Sequence, residues 1–188
     1  MVGGGYVGLV SGACFAEFGA DVAIVERDPK KLAALHDGRI PIYEPGLDAL
    51  VGSNVASGRL TFGDDLGAAM ENADAVFIAV GTPTRRGDGH ADLTYVYAAA
   101  EEIARAARTA LLALTTSPLP VRTGRQVARL LRPTPPALPL HIQCGVLFPC
   151  STYPFVSTRG ANESSGSIRA RARAQNIKLV SSRAGSRA

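Results

Sequence analysis

Up to residue 131 the chain alternates two patterns: short apolar, β-rich runs closed by Gly, Asp or Pro, and longer stretches whose apolar positions recur at helical spacing. The pattern predicts helix over Tyr6–Phe18, strand over Asp21–Glu26, helix over Pro29–His36, a Pro/Gly-punctuated loop at Gly38–Pro45, helix over Gly46–Ala56 and a short strand at Arg59–Phe62. Asp64 and Asp65 are a suitable N-cap pair for a brief helix to about Glu71, after which Asp74–Val80 reads as strand. Loop Gly81–Asp92 then leads into helix Leu93–Arg108, strand Ala110–Thr115 and helix Thr123–Leu131. Strands alternating with helices predict βαβ units, hence an α/β fold with a parallel sheet.

Beyond Arg132 neither period persists. Six of the twelve prolines fall in 132–188, and Ser and Arg accumulate there. Such a composition buries too little apolar surface to offset its ordering entropy, so 132–188 is expected to be a largely disordered tail behind a domain at 1–131. Charge divides at the same place. Residues 1–131 carry 12 Lys and Arg against 15 Asp and Glu, and 132–188 carry 8 against 1, so the overall net charge of +4 describes neither part.

Composition excludes several classes. With 46% hydrophobic and 19% charged residues the chain is no disordered polyampholyte, and three scattered cysteines make neither a disulfide framework nor a zinc ribbon. No apolar run approaches the ~18 residues of a membrane span, and a cytoplasmic location is expected. From Gly160 onward, where Arg169, Arg171, Arg173, Arg183 and Arg187 lie, the sequence has no aromatic residue to stack bases and no amphipathic stripe, so neither nucleic acid nor a membrane is an expected partner.

Gly3-Gly4-Gly5-Tyr6-Val7-Gly8 fits G-x-G-x-x-G. In a dinucleotide-binding turn the first glycine permits the tight turn, the second lets the backbone approach the pyrophosphate, and the third lets helix and strand pack closely. A helix opening at Tyr6 would aim its unpaired N–H groups at phosphate. Glu26 ends the next strand, where a carboxylate accepts from ribose hydroxyls and repels a 2′-phosphate; that favours NAD over NADP, while the adjacent Arg27 pulls the other way. The fingerprint should follow a buried central strand, but only Met1 and Val2 precede Gly3, which reads as a first strand cut short by a start codon inside it. His90 has no second His or Cys at ligand spacing, so no metal site is expected.

Four segments together carry a resemblance: Gly5–Gly19 (GYVGLVSGACFAEFG), Ile40–Leu47 (IPIYEPGL), Ala79–Pro83 (AVGTP) and Arg86–Leu93 (RGDGHADL). In order and spacing they resemble the N-terminal, NAD-binding domain of the UDP-glucose 6-dehydrogenases, in the UDP-glucose/GDP-mannose dehydrogenase family. The resemblance implies a Rossmann-like doubly wound parallel sheet, here with a truncated first strand and an irregular C-terminal tail. It also implies NAD as cofactor and oxidation of the UDP-glucose C6 hydroxyl to a carboxylate, by two hydride transfers to two NAD molecules through an enzyme thioester. Carried over, it implies that Gly3, Gly5, Tyr6, Val7 and Gly8 border the pyrophosphate, that Glu26 and Lys31 serve the adenosine end, and that Thr82 and Pro83 border the cofactor. Without the family, Lys31 reads as a solvated helix lysine and Thr82-Pro83 as a strand-ending turn. GDP-mannose and UDP-N-acetylhexosamine dehydrogenases share the fold, but IPIYEPGL and RGDGHADL favour the glucose branch.

The sequence departs from the family at two places. Where the family has K-S-T-V-P-V-G-T this chain has Thr116 to Thr123 as TSPLPVRT, so Pro118 replaces a threonine expected beside the nicotinamide, and Arg122 a glycine. After Leu131 the N-P-E-F-L-R-E-G string, the substrate domain and the G-x-G-G-x-C-F-P-K-D motif with its nucleophilic cysteine are absent; Cys144 and Cys150 lack that context, and no catalytic residue is assigned. The simultaneous change of charge, proline content and periodicity suggests a shift of reading frame near Arg132. A UDP-sugar is therefore the expected substrate of a full-length relative, the alternative being a non-enzymatic fragment that binds NAD weakly or not at all. Oligomeric state is not legible.

Overall fold

The computed structural model describes residues 1–85, 87, 89–108, 112–116, 123–131 and, as backbone, 141–144 and 156–157. All of them lie in one compact unit, Met1–Thr158. In chain order the elements are α1 (Tyr6–Glu17), β1 (Val22–Val25), α2 (Pro29–His36), α3 (Leu47–Ala56), β2 (Leu60–Gly63), α4 (Leu66–Met70), β3 (Ala75–Ile78), α5 (Thr94–Ala106), β4 (Leu112–Thr115), α6 (Thr123–Leu130), β5 (His141–Cys144) and β6 (Val156–Ser157). Every helix and strand expected before residue 131 forms, with ends moved by one or two residues where these are described. Local capping explains several starts. Asp28 accepts from the Lys30 amide at 2.9 Å ahead of Pro29, and Asp65 accepts from the Ala68 amide at 3.1 Å. Gly46, expected inside α3, instead caps it with φ +83°, a left-handed conformation that suits glycine.

β1 pairs with β2, and β3 with β4 and β4 with β5, all in parallel; β6 adds to β5 antiparallel. The two sets are joined by the residues ahead of the glycine turn. The Val2 amide donates to the Phe77 carbonyl at 2.7 Å and the Val2 carbonyl accepts from Ala79 at 2.8 Å. On the other side the Gly3 amide donates to Val25 at 2.8 Å, and Val25 donates to Met1 at 2.8 Å. The stub Met1–Gly3 thus holds the central place of a first strand between β1 and β3, and a single residue, Val2, bridges both.

Each face of the sheet has its own core, as a doubly wound sheet requires. Leu9, Ala13 and Ala16 of α1 pack with Ile24, Leu35, Leu47, Val51 and Leu60. Val2, Val25, Val76 and Ile78 pack instead with Val96, Ala100 and Ile103 of α5 and Val127 of α6. The adjacent residues Ile24 and Val25 fall in different clusters, because successive strand side chains point to opposite faces. Expressed as buried apolar side chains at about 1.5–3 kcal/mol each, these two clusters dominate the stability of the domain.

The irregular reading of 132–188 is corrected at β5: His141–Cys144 extends the parallel ladder beside β4, Leu112 opposite His141 through Thr115 opposite Cys144. β6 is a second exception. The physical reason is length: four residues flanked by prolines are too few to establish a period of 2 or 3.6 in the sequence. The rest of the tail, including Cys150 and the arginines singled out above, lies outside the described residues.

Candidate functional site

Parallel strands place the residues after Val2, β1, β2, β3 and β4 along one edge of the sheet, where open α/β sheets bind ligands. The glycine turn, Glu26, Asp64, Gly81–Pro83 and Thr116 all lie just past these strand ends.

Within the turn the three fingerprint glycines do different work. Gly3 has φ +110°, and a Cβ there would lie 2.7 Å from the Ala79 carbonyl oxygen. A Cβ on Gly8 would lie 1.8 Å from the Gly3 carbonyl oxygen, so α1 packs on the turn at a distance only glycine permits. Gly5 is the opposite case: a Cβ there would meet nothing within 4 Å. Its backbone therefore borders open space at the N-terminus of α1, where Gly5 itself is the N-cap and no side chain caps the first amides. Unpaired amides facing open space are what an anionic group needs from a helix start.

Glu26 is held over this turn. Its Oε2 accepts from the Gly4 amide at 3.0 Å and its Oε1 from the Asp28 amide at 2.9 Å, which locks a half-buried carboxylate beside the glycines. Each oxygen keeps a lone pair for a further donor. Arg27, next in sequence, turns away and pairs with Glu102 of α5. An open hollow of about 500 Å³ adjoins this end, lined by Asp64–Gly67 at the start of α4 and by Glu102, Arg105 and Ala106 of α5.

On the other side of the turn Tyr6 donates its hydroxyl to Glu44 Oε2 at 2.8 Å, tying the loop at 38–46 to the first residue of α1. The hydrogen bond to Glu44 and that carboxylate's charge raise the Tyr6 hydroxyl above the usual tyrosine range. The loop at 81–92 folds on itself, with Thr84 bridging Ala91, the Arg85 amide donating to His90 at 2.7 Å and the Asp92 amide donating to Pro83 at 2.7 Å. Asp92 in turn accepts from the Thr94 hydroxyl at 2.6 Å, which with the Thr94 amide lowers its carboxyl below the ordinary value.

The structure thus brings Gly3, Gly5, Tyr6, Val7, Gly8 and Glu26 together and sets Thr82, half-buried, and Pro83, exposed, on the loop after β3. Lys31 lies on the exposed face of α2. Gly4, Asp28, Glu44 and Glu102 were not anticipated. Gly4 sits inside the fingerprint and Glu44 inside the IPIYEPGL segment, whereas Asp28 and Glu102 had no sequence signal. Pro118 and Arg122 lie outside the described residues. Among the described residues no group of His, Cys, Asp or Glu could hold a metal ion, and no helix is long and apolar enough to cross a membrane.

A glycine turn of this geometry after a central strand, with a carboxylate fixed at the end of the neighbouring strand, defines a Rossmann-like dinucleotide-binding domain of the dehydrogenase type. Residues 1–145 match the NAD-binding domain of the UDP-glucose/GDP-mannose dehydrogenase family, and the chain belongs to that family. It is similar to the UDP-glucose 6-dehydrogenase of Rhizobium meliloti, 62% identical over 137 residues that cover 73% of this chain and 31% of the relative. The UDP-glucose 6-dehydrogenase of Pseudomonas aeruginosa is 45% identical over 132 residues, 70% of this chain and 29% of the relative. Among solved structures, a UDP-glucose dehydrogenase from the archaeon Pyrobaculum islandicum superposes with a TM-score of 0.72 at 37% identity, over 78% of this chain and 35% of that one. The chain spans about a third of the length of the curated relatives it matches. NAD is the cofactor of this domain family.

Proposed function

We propose that this chain supplies the NAD-binding domain of a UDP-glucose 6-dehydrogenase acting in the cytoplasm. The observation that carries the reading is the turn itself: a Cβ-free opening at Gly5 over uncapped amides, with the Glu26 carboxylate pinned alongside. In this reading the amides of Tyr6, Val7 and Gly8 receive the pyrophosphate. Glu26 accepts from the adenosine ribose hydroxyls, and Lys31 adds positive charge at that end. Thr82 and Pro83 wall the cofactor where it crosses the end of β3. Bound NAD would supply the hydride acceptor for oxidation of the sugar C6 hydroxyl; the residues of this chain bind and orient it. The UDP-glucose branch is preferred over the GDP-mannose branch because of the 62% identity to a UDP-glucose 6-dehydrogenase, against 29% to a solved GDP-mannose dehydrogenase.

The 188 residues carry no G-x-G-G-x-C motif for a nucleophilic cysteine. The chain by itself is expected to bind NAD without turning over UDP-glucose. Calorimetric titration with NAD tests the binding, and NADH absorbance in the presence of UDP-glucose tests the turnover. A saturable site weakened by Glu26→Ala supports the reading, whereas affinity unchanged by that substitution overturns the ribose assignment.

A further inference from the structure

Glu26 and Arg27 give opposite signals about the cofactor: a carboxylate at the strand end rejects a 2′-phosphate, and an arginine beside it attracts one. The structure holds the two side chains in different ways. Glu26 is fixed by the Gly4 and Asp28 amides, facing the glycine turn. Arg27 is paired with Glu102, a residue 75 positions further along the chain on α5. Resting on the cofactor reading above, we propose that Glu102 is a specificity-determining residue: it holds Arg27 against α5 and so denies the 2′-phosphate of NADP a counter-ion.

The charges around the pair support this. An unpaired Arg27 beside Glu26 would offer a 2′-phosphate a planar, bidentate donor, the side chain best matched to phosphate. Paired with Glu102 through one terminal nitrogen, Arg27 is drawn toward α5, and the second carboxylate leaves the Glu26–Arg27–Glu102 group net negative. Lys31, already placed at this end, contributes its charge equally in every variant compared below. Arg105 lines the same hollow but is paired with Glu101 at 3.4 Å, and Asp64 and Asp65 on the facing wall add negative charge. The Arg27 side chain is 67% exposed and that of Glu102 30%, so separating them changes little in the core.

The test is calorimetric titration of the full chain, at low ionic strength, with NAD and with NADP, for the wild type, Glu102→Gln, Arg27→Ala and the double variant. Glu102→Gln is expected to tighten NADP by about five- to tenfold while NAD affinity stays within about twofold, the size expected for one freed charge-assisted contact. The gain is expected to vanish when Arg27→Ala is added. An NADP-to-NAD affinity ratio unchanged by Glu102→Gln overturns the proposal, as does a gain that survives the loss of Arg27. Failure of every variant to bind either dinucleotide would instead overturn the cofactor reading, and this inference with it.

Discussion

The Gly4 amide donates to the Glu26 carboxylate at 3.0 Å, so the acidic residue that ends β1 is built into the glycine turn rather than hanging over it. The Asp28 amide holds the other oxygen at 2.9 Å. A preorganised carboxylate meets a ligand hydroxyl without first losing rotamer freedom, which is where much of the cost of binding lies.

Replacing Glu26 should therefore affect fold and ligand by different amounts. Glu26→Ala strips a partner from two backbone amides and is expected to cost about 1–3 kcal/mol of stability. NAD affinity is expected to fall at least about tenfold, with Glu26→Gln intermediate because its amide keeps one acceptor oxygen. Chemical denaturation and calorimetry read the two effects separately.

Gly5 and Gly8 make a sharper pair. A methyl on Gly8 would collide with the Gly3 carbonyl oxygen, a backbone atom that cannot swing aside as a flexible side chain could. Gly8→Ala is expected to destabilise the domain by more than about 3 kcal/mol or prevent folding. Gly5 has φ −82° and open space before it, so Gly5→Ala should leave the melting temperature within a few degrees while weakening NAD severely. If Gly5→Ala binds NAD normally, the pyrophosphate does not pass where the turn opens.

A third expectation concerns pH. In a chain that starts at Met1, the amino group donates to the Ala23 carbonyl at 2.7 Å inside the sheet, and burial lowers its pKa from 8.0 to about 6. The unfolded amine thus holds a proton between pH 6 and 8 that the folded one gives up, and stability must rise with pH across that window. The contribution is fully present above about pH 8 and lost below about pH 6, worth about 2–3 kcal/mol in all. Denaturant midpoints measured from pH 5.5 to 8.5 check this, and N-terminal acetylation, which removes the titrating group, should flatten the slope.

Asp28 carries a smaller prediction. It caps α2 through the Lys30 amide while its own amide holds Glu26. Asp28→Ala removes only the side-chain cap and is expected to cost about 1 kcal/mol, seen as a melting-temperature drop of a few degrees. Because the backbone bond to Glu26 survives, NAD affinity should change by less than about threefold. A loss as large as that of Glu26→Ala would mean that the cap, rather than the backbone amide, sets the position of the carboxylate.

The sequence by itself determined the α/β class, the order of elements through α6, the glycine turn and the acidic residue opposite it. These rest on local physics: hydrophobic period, capping side chains, and the steric freedom that only glycine has at Gly3 and Gly8. Tertiary structure decided what depends on residues far apart in the chain. That Met1 and Val2 lie at the centre of the sheet depended on finding Val25 on one side and Phe77 and Ala79 on the other. Placing His141–Cys144 as a strand depended on β4 offering it a free edge. The conflicting signs of Glu26 and Arg27 were resolved by the Gly4 and Asp28 amides and by Glu102 on α5. A side chain's charge is written in the sequence, but the partner that engages it is set by packing.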